Sequence, residues 1–236
     1  MNKFDIRIIF LFFFTLDVLS ENIGQPGELF PVKVNKGIFT SSNGLIKIDN
    51  SYYKLVPLSF SKQGQYVMFE DTKIFIQNKD FGESRITITN NALVNLSDED
   101  KDRTIRESKI INKALQTYSK KMKPTFSFIS PVDGIISSRY GKKRFINNSP
   151  RSPHLALDIA APEGTKVLSP EDGKVILIGN FFYSGNYLII DHGQGLLSSY
   201  SHLSSISVSE DDILKQGQEI GKVGSTGRVT GPHLHW

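Results

Sequence analysis

Apolar and polar positions alternate with a period of two over most of this chain, the spacing of half-buried strands. Before residue 97 the alternation falls on 37–40, 45–48, 52–58, 65–69, 73–77 and 85–89, with Ser42-Asn43-Gly44 as a hairpin turn between the first two. Short strands parted by polar or glycine-bearing turns predict a small sheet or sandwich over 21–96. This stretch contains no histidine. Its expected part is that of an accessory domain, which positions or covers a catalytic one.

The period then changes. Ile110, Ile111, Ala114, Leu115, Tyr118 and Met122 recur at helical spacing, behind Ser97 as N-cap and the acidic first turn Asp98-Glu99-Asp100. Lys120, Lys121 and Lys123 crowd the end before Pro124. These signals predict an amphipathic helix over 97–124 that links two domains, its charges forming a solvated face.

Beyond Pro124 the period returns to two. Strands are expected at 164–168 and 173–178 around the turn Ser169–Asp172. A hairpin is expected from 186–191 and 196–203 across His192-Gly193-Gln194-Gly195. Tyr200 and His202 are expected on one face of its second strand, and His192, in the turn, is expected to be structural. The fold class is mainly β: an antiparallel sheet over 125–236, preceded by a small β-rich domain and a linking α-helix.

A hydrophobic fraction of 39% over 236 residues is enough for a real core. The formal charge of +4 is too small to argue for nucleic acid. Some of that charge is local. Lys142, Lys143 and Arg144 lie in a glycine- and asparagine-bearing loop just ahead of His154, where they could attract carboxylates in a salt-sensitive way. Cysteine is absent, which excludes a thiol nucleophile, a cysteine-rich zinc site, a disulfide and a lipid-anchored N-terminus. Lys3 and Arg7 precede the apolar run Ile8–Leu16, and Val18 and Ser20 suit small-residue cleavage before Glu21. Residues 1–20 therefore read as a signal peptide, too short to span a bilayer, so that no stable membrane anchor remains after cleavage.

The candidate chemistry is concentrated in histidines. Three of the five lie in Pro153-His154-Leu155-Ala156-Leu157-Asp158 and Gly231-Pro232-His233-Leu234-His235-Trp236. On a strand His233 and His235 share a face, roughly 6 to 7 Å apart. His154 and Asp158 would lie roughly 13 Å apart on a straight strand, so a bulge or bend must close that gap. Two histidines and an aspartate would give zinc three protein ligands and leave the fourth position to water, the composition of a catalytic site.

Residues from about Phe128 to Trp236 resemble the lysostaphin/LytM-type zinc metalloendopeptidases, which cut peptidoglycan cross-bridges. The resemblance rests on an ordered set: Ser137-Ser138-Arg139-Tyr140-Gly141, Pro153-His154 through Pro162-Glu163-Gly164-Thr165, Asp191-His192-Gly193-Gln194-Gly195, Tyr200-Ser201-His202-Leu203, and Gly224-Ser225-Thr226-Gly227 through His233-Leu234-His235. It implies His154, Asp158 and His235 as zinc ligands and His202 and His233 as unligated catalytic histidines. It also implies peptidoglycan stem peptides and cross-links as partners, and an exported, periplasmic or cell-envelope location. The alternatives are a catalytically weak or inactive module of the same type that regulates cell-wall amidases, and a zinc hydrolase for another peptide. Family members usually have glycine where this chain has Ala156; a left-handed backbone there would add strain of order 1 kcal/mol. They also continue past the His-x-His strand, so the chain reads as lacking its C-terminal end, with Trp236 the residue that would tie that strand down.

Overall fold

The computed structural model describes residues 22–34, 45–48, 50–87 and 96–236. The expected signal peptide, the strand at 37–40 with its Ser42-Asn43-Gly44 turn, and the last residues of the strand expected at 85–89 lie outside the described residues. The described residues divide after Gly82 into two compact units.

In the N-terminal unit the described strands are β1 (Asn22–Gly24), β2 (Leu29–Val34), β3 (Leu45–Ile48), β4 (Ser51–Pro57), β5 (Tyr66–Phe69) and β6 (Thr72–Ile76). They form two three-stranded sheets, β2-β4-β3 and β1-β6-β5, the second with β1 parallel to β6. Period-two positions fill the core they share: Val32 and Val34 of β2, Ile74 and Ile76 of β6, and Leu58. Pro31 speaks against a strand in the sequence. It is accommodated because β2 lies at a sheet edge, where a missing N–H breaks no second ladder.

The C-terminal unit contains β7 (Glu83–Ile86), α1 (Asp98–Ala114), β8 (Ile135–Ser138), β9 (Lys143–Ile146), β10 (Ser149–Arg151), β11 (Asp158–Ala160), β12 (Lys166–Leu168), β13 (Gly173–Phe181), β14 (Gly185–Gly193), β15 (Leu196–Ile206), β16 (Ile213–Leu214), β17 (Glu219–Val223) and β18 (His233–His235). Its main sheet is antiparallel in the order β16-β13-β14-β15-β18-β11-β8, with the β12–β17 pair joined to β15. Tyr200, Leu203, Leu188, Ile190, Ile220 and Leu234 are among the fully buried residues of its core. Gln194 and Gly195 both take positive φ, 54° and 83°, the backbone of the tight turn that matches strand twist in the β14–β15 hairpin.

Two sequence expectations are corrected here. The helix stops at Ala114 rather than near residue 124. Ser97 caps its start as expected, its hydroxyl accepting from the Asp100 N–H at 3.1 Å. Past Thr117, however, the chain is taken by the β14–β15 hairpin: the Gln194 N–H donates to the Ser119 carbonyl at 2.8 Å, and the Ser119 hydroxyl donates to the Asp191 carboxylate. Tertiary hydrogen bonds there replace the ones that would have continued the helix. The helix also packs within this unit, Ile111 and Ala114 lying against Leu177, Phe181, Tyr187 and Ile189.

Second, residues 142–151 form a hairpin rather than a loop. Asn147 and Asn148 turn it with φ of 48° and 62°, and β7, grouped by the sequence with the N-terminal segment, adds to it in parallel. Asparagine tolerates the left-handed region, yet a strand carrying Lys143 and Arg144 gives no apolar alternation to read. The strands expected on either side of 169–172 form as β12 and β13, and they pair with different partners. The Ser169 N–H donates to the Gln218 carbonyl at 2.8 Å, which directs β12 to β17.

Leu234, fully buried between two histidines of β18, tests whether this packing holds the strand. Leu234→Ala is expected to cost about 2–5 kcal/mol in denaturant unfolding, whereas Ile135→Ala, at a side chain 77% exposed, should stay within about 0.5 kcal/mol. Equal midpoints for the two variants would mean that β18 is not anchored through Leu234.

Candidate metal centre

The site is built on β18 as it lies between β11 and β15. Its register on β11 sets Asp158 opposite His235, Ile159 opposite Leu234 and Ala160 opposite His233. Directly opposed residues share a face, so Asp158 and His235 meet on the face away from the core, and Ser201 of β15 lies opposite His235 on the other side. The strand is tied at both ends. His233 N–H donates to the Gly224 carbonyl at 3.2 Å, and Trp236 and Leu157 exchange two backbone hydrogen bonds of 2.8 Å each.

His154 reaches the same face from outside the sheet ladder. Its backbone exchanges hydrogen bonds with the start of the β9 hairpin, Gly141 N–H to the His154 carbonyl at 2.6 Å and His154 N–H to the Lys142 carbonyl at 2.9 Å. A bend at Ala156 then turns the chain into β11, closing the gap that a straight strand would leave. Ala156 is not among the residues with positive φ, so alanine carries no left-handed strain there.

Three donor atoms converge. His154 Nε2 lies 3.0 Å from Asp158 Oδ1, His235 Nδ1 lies 2.7 Å from the same oxygen, and the two nitrogens are 3.3 Å apart. Metal–ligand bonds of about 2.0–2.1 Å in a tetrahedral shell require edges of roughly 3.3–3.4 Å, which the nitrogen–nitrogen edge already has, while the two edges to Asp158 must open by roughly 0.3–0.7 Å to admit zinc. The tautomers suit it too. His154 Nδ1–H donates to the Arg139 carbonyl at 3.2 Å, with Ser138 Oγ at 3.1 Å, which leaves Nε2 as a lone-pair donor. Two nitrogen lone pairs and a carboxylate directed at one point call for a cation between them. The side chains are 1%, 13% and 27% exposed for His154, Asp158 and His235, so the centre is enclosed on the protein side and open on the other.

His202 and His233 stand beside it. Their ring centroids are 4.9 Å apart, and the His202 ring is 5.8 Å from that of His235. His233 Nε2 approaches Asp158 Oδ1 to 4.0 Å. Each ring donates Nδ1–H to a backbone carbonyl at 2.9 Å, His202 to Thr226 and His233 to Gly231, and each thereby keeps Nε2 as a possible proton acceptor.

Tyr200 and His202 do not share a face, contrary to simple alternation. Leu188 pairs with Tyr200 and Asn186 with Leu203, so β15 carries an extra residue at His202, whose φ is 66°. This bulge turns the imidazole out of the core face and toward the histidines of β18, while Tyr200 and Leu203 stay in the core. Gly224 permits it: a Cβ there would come within 2.3 Å of Ser204 N and 2.8 Å of the His202 carbonyl.

Burial raises the pKa of Asp158, but hydrogen bonds from His154 and His235 outweigh that and hold the carboxyl well below the usual carboxylate range. For His202 burial dominates and pulls the imidazole down to about 4, against the opposing hydrogen bond to Thr226. His192 is likewise pulled down by burial. It sits in β14 rather than in the turn, with Nδ1–H donating to the Asp172 carbonyl at 2.8 Å and Nε2 accepting from Ser198 Oγ at 2.7 Å. Neither nitrogen is left for chemistry. The supporting groups absent from the sequence reading are the carbonyls of Arg139, Thr226 and Gly231, which have no side-chain signature.

The description "Peptidase family M23" matches residues 152–236 of the chain. The peptidoglycan DD-endopeptidase ShyA of Vibrio cholerae is 44% identical over 109 residues, 45% of this chain and 25% of ShyA. The cell division protein DipM of Caulobacter vibrioides is 39% identical over 110 residues, 46% of this chain and 17% of DipM. The chain thus spans a quarter or less of the length of these two curated relatives. A crystal structure from Pseudomonas aeruginosa assigned to peptidase M23 superposes with a TM-score of 0.67 at 28% identity, covering 92% of this chain and 90% of that one. The likeness to that protein extends over both units.

The depressed His202 has a consequence for stability. Its folded pKa of about 4 lies below the roughly 6.5 of an unfolded histidine, so between these values the unfolded chain binds more protons. Stability of chelator-treated protein should therefore fall as pH drops from about 6.5 to about 4, and His202→Gln should flatten that fall. Identical urea midpoints against pH for the two proteins would contradict the assignment.

Proposed function

We propose that the chain is a zinc metalloendopeptidase that hydrolyses peptide cross-links of bacterial peptidoglycan, a reading supported by the match of residues 152–236 to peptidase family M23. The observation that carries this reading is the meeting, on one open face, of a His154–Asp158–His235 donor triangle with two further imidazoles whose Nε2 atoms are uncommitted. The naming of ShyA as a peptidoglycan DD-endopeptidase supports the substrate class. An envelope location follows from that substrate and accords with the apolar N-terminal run Ile8–Leu16.

His154, Asp158 and His235 would hold the ion. Zinc, when bound, supplies a water acidified to near neutrality and a Lewis acid for the scissile carbonyl. The work of the chain is then to move protons and hold the peptide. His202, neutral near pH 7, has its Nδ1–H fixed on the Thr226 carbonyl and can accept a proton at Nε2. His233, fixed in the same way on Gly231, can take up a proton at Nε2 and then give it to the departing amine. Asp158 stays ionised and can supply the anionic third ligand atom, while His154 is oriented from its other nitrogen by the Arg139 carbonyl.

Protein purified without chelator should contain about one zinc per chain, and His154→Ala or Asp158→Ala should remove it; full zinc content in either variant would reject the ligand set. His202→Ala should keep the metal yet lose about a hundredfold or more in release of fragments from purified sacculi, read by mass. Unchanged turnover in that variant would return His202 to a structural role, and intact sacculi with zinc-loaded wild-type protein would reject the substrate.

A further inference from the structure

The β9–β10 hairpin sets Arg144 directly opposite Arg151. Like charges opposed on one face of an antiparallel pair are unfavourable, and the left-handed Asn147-Asn148 turn holds the hairpin in this register. Several cations of this unit do have carboxylate partners: Lys166 with Glu219, Lys174 with Asp211, Lys215 with Asp172, and on the neighbouring strand Arg85 with Glu83. Among the described residues Arg144 and Arg151 make neither an ion pair nor a side-chain hydrogen bond. The third strand, β7, offers no compensation, since it sets Ser84 opposite Arg144.

The pair is also fixed in relation to the metal centre. Both backbone groups of His154 are hydrogen-bonded to Gly141 and Lys142, three and two residues before Arg144, and Arg151 lies three residues before His154. Arg144 is half-buried and feels the charge of Asp158, while Arg151 is exposed. The pair is thus held close along the backbone to the residue that supplies one corner of the donor triangle.

We infer that Arg144 and Arg151 form an anion subsite beside the metal centre, which takes a carboxylate of the peptide substrate and sets the cross-link in register with the donor triangle. The inference rests on the peptidase reading for its ligand. Two guanidiniums on one face can grip a carboxylate through paired N–H donors, and the occupant removes the repulsion the free hairpin carries.

The test is binding of two probes without a cross-link to the zinc-loaded full chain: a peptidoglycan stem tetrapeptide, and the same peptide with its carboxylates amidated. Wild type should bind the acid form about tenfold or more tightly, the scale of a charge-assisted hydrogen bond. Arg144→Gln with Arg151→Gln should abolish that preference while zinc content and affinity for the amide stay unchanged. Arg144→Lys with Arg151→Lys should restore part of it. Lys120→Gln with Lys121→Gln removes equal charge from the exposed segment after α1 and should leave the preference intact. The subsite is overturned if wild type shows no preference, if the double glutamine variant keeps it because the carboxylate sits on the metal, or if the lysine control loses as much. Cleavage of a cross-linked dimer by the same wild-type preparation is measured alongside. Its failure would reject the peptidase reading, and the acid–amide comparison would still decide the anion subsite.

Discussion

Everything at the centre depends on how three residues of β18 are held between two other strands. Leu234 is buried in the core, so His233 and His235 must face away from it, and the register on β11 brings Asp158 to His235 at 2.7 Å. A slip by one residue would send Leu234 outward and both histidines inward, exchanging the candidate metal site for two buried, unpaired imidazoles. The apolar contact of one leucine and the polar geometry of its neighbours are thus a single constraint. The His154 backbone adds the third donor through its pairing with Gly141 and Lys142, so the donor triangle stands on hydrogen-bonded backbone on each side.

The bulge at His202 is the local departure from regularity that the site requires. A non-glycine residue at φ 66° costs of order 1–3 kcal/mol, and the surrounding contacts hold it there. His202 N–H donates to the Ser184 carbonyl at 2.8 Å, its ring is fixed on Thr226, and Gly224 leaves room for the displaced backbone. Regular alternation would instead direct this imidazole to the core side of β15.

Hydrogen-bond capacity separates the histidines by task. His192 has both nitrogens satisfied by protein, and its Ser198 partner is bonded in turn to the buried Tyr200 hydroxyl at 2.8 Å, so it serves the core. His202 and His233 each spend one nitrogen on a carbonyl and keep the other. His154 spends Nδ1 in the same way and directs Nε2 at the carboxylate and His235. Burial alone would not distinguish these residues, since His154, His192 and His202 are all buried.

Much of this was legible in the chain itself. The mainly β character, the Ser97 cap and the β14–β15 hairpin follow from local pattern and capping chemistry, which act over a few residues. The His-x-His strand and the His-x-x-x-Asp segment point to the candidate donor residues that the structure brings together, because period-two geometry and metal-ligand chemistry are written in side-chain type. What only the tertiary structure decided involves partners distant along the chain. The end of α1 depends on backbone groups near Gln194, the strand at Glu83–Ile86 depends on β9, and the direction of His202 depends on Gly224 and Thr226. Backbone hydrogen bonds carry no residue-specific signature, and a bulge reverses facing without changing composition. The sequence therefore determined which side chains could form the centre, and the packing of β18, the bend at Ala156 and the bulge at His202 decided that they meet, because facing and register are properties of paired strands rather than of either strand alone.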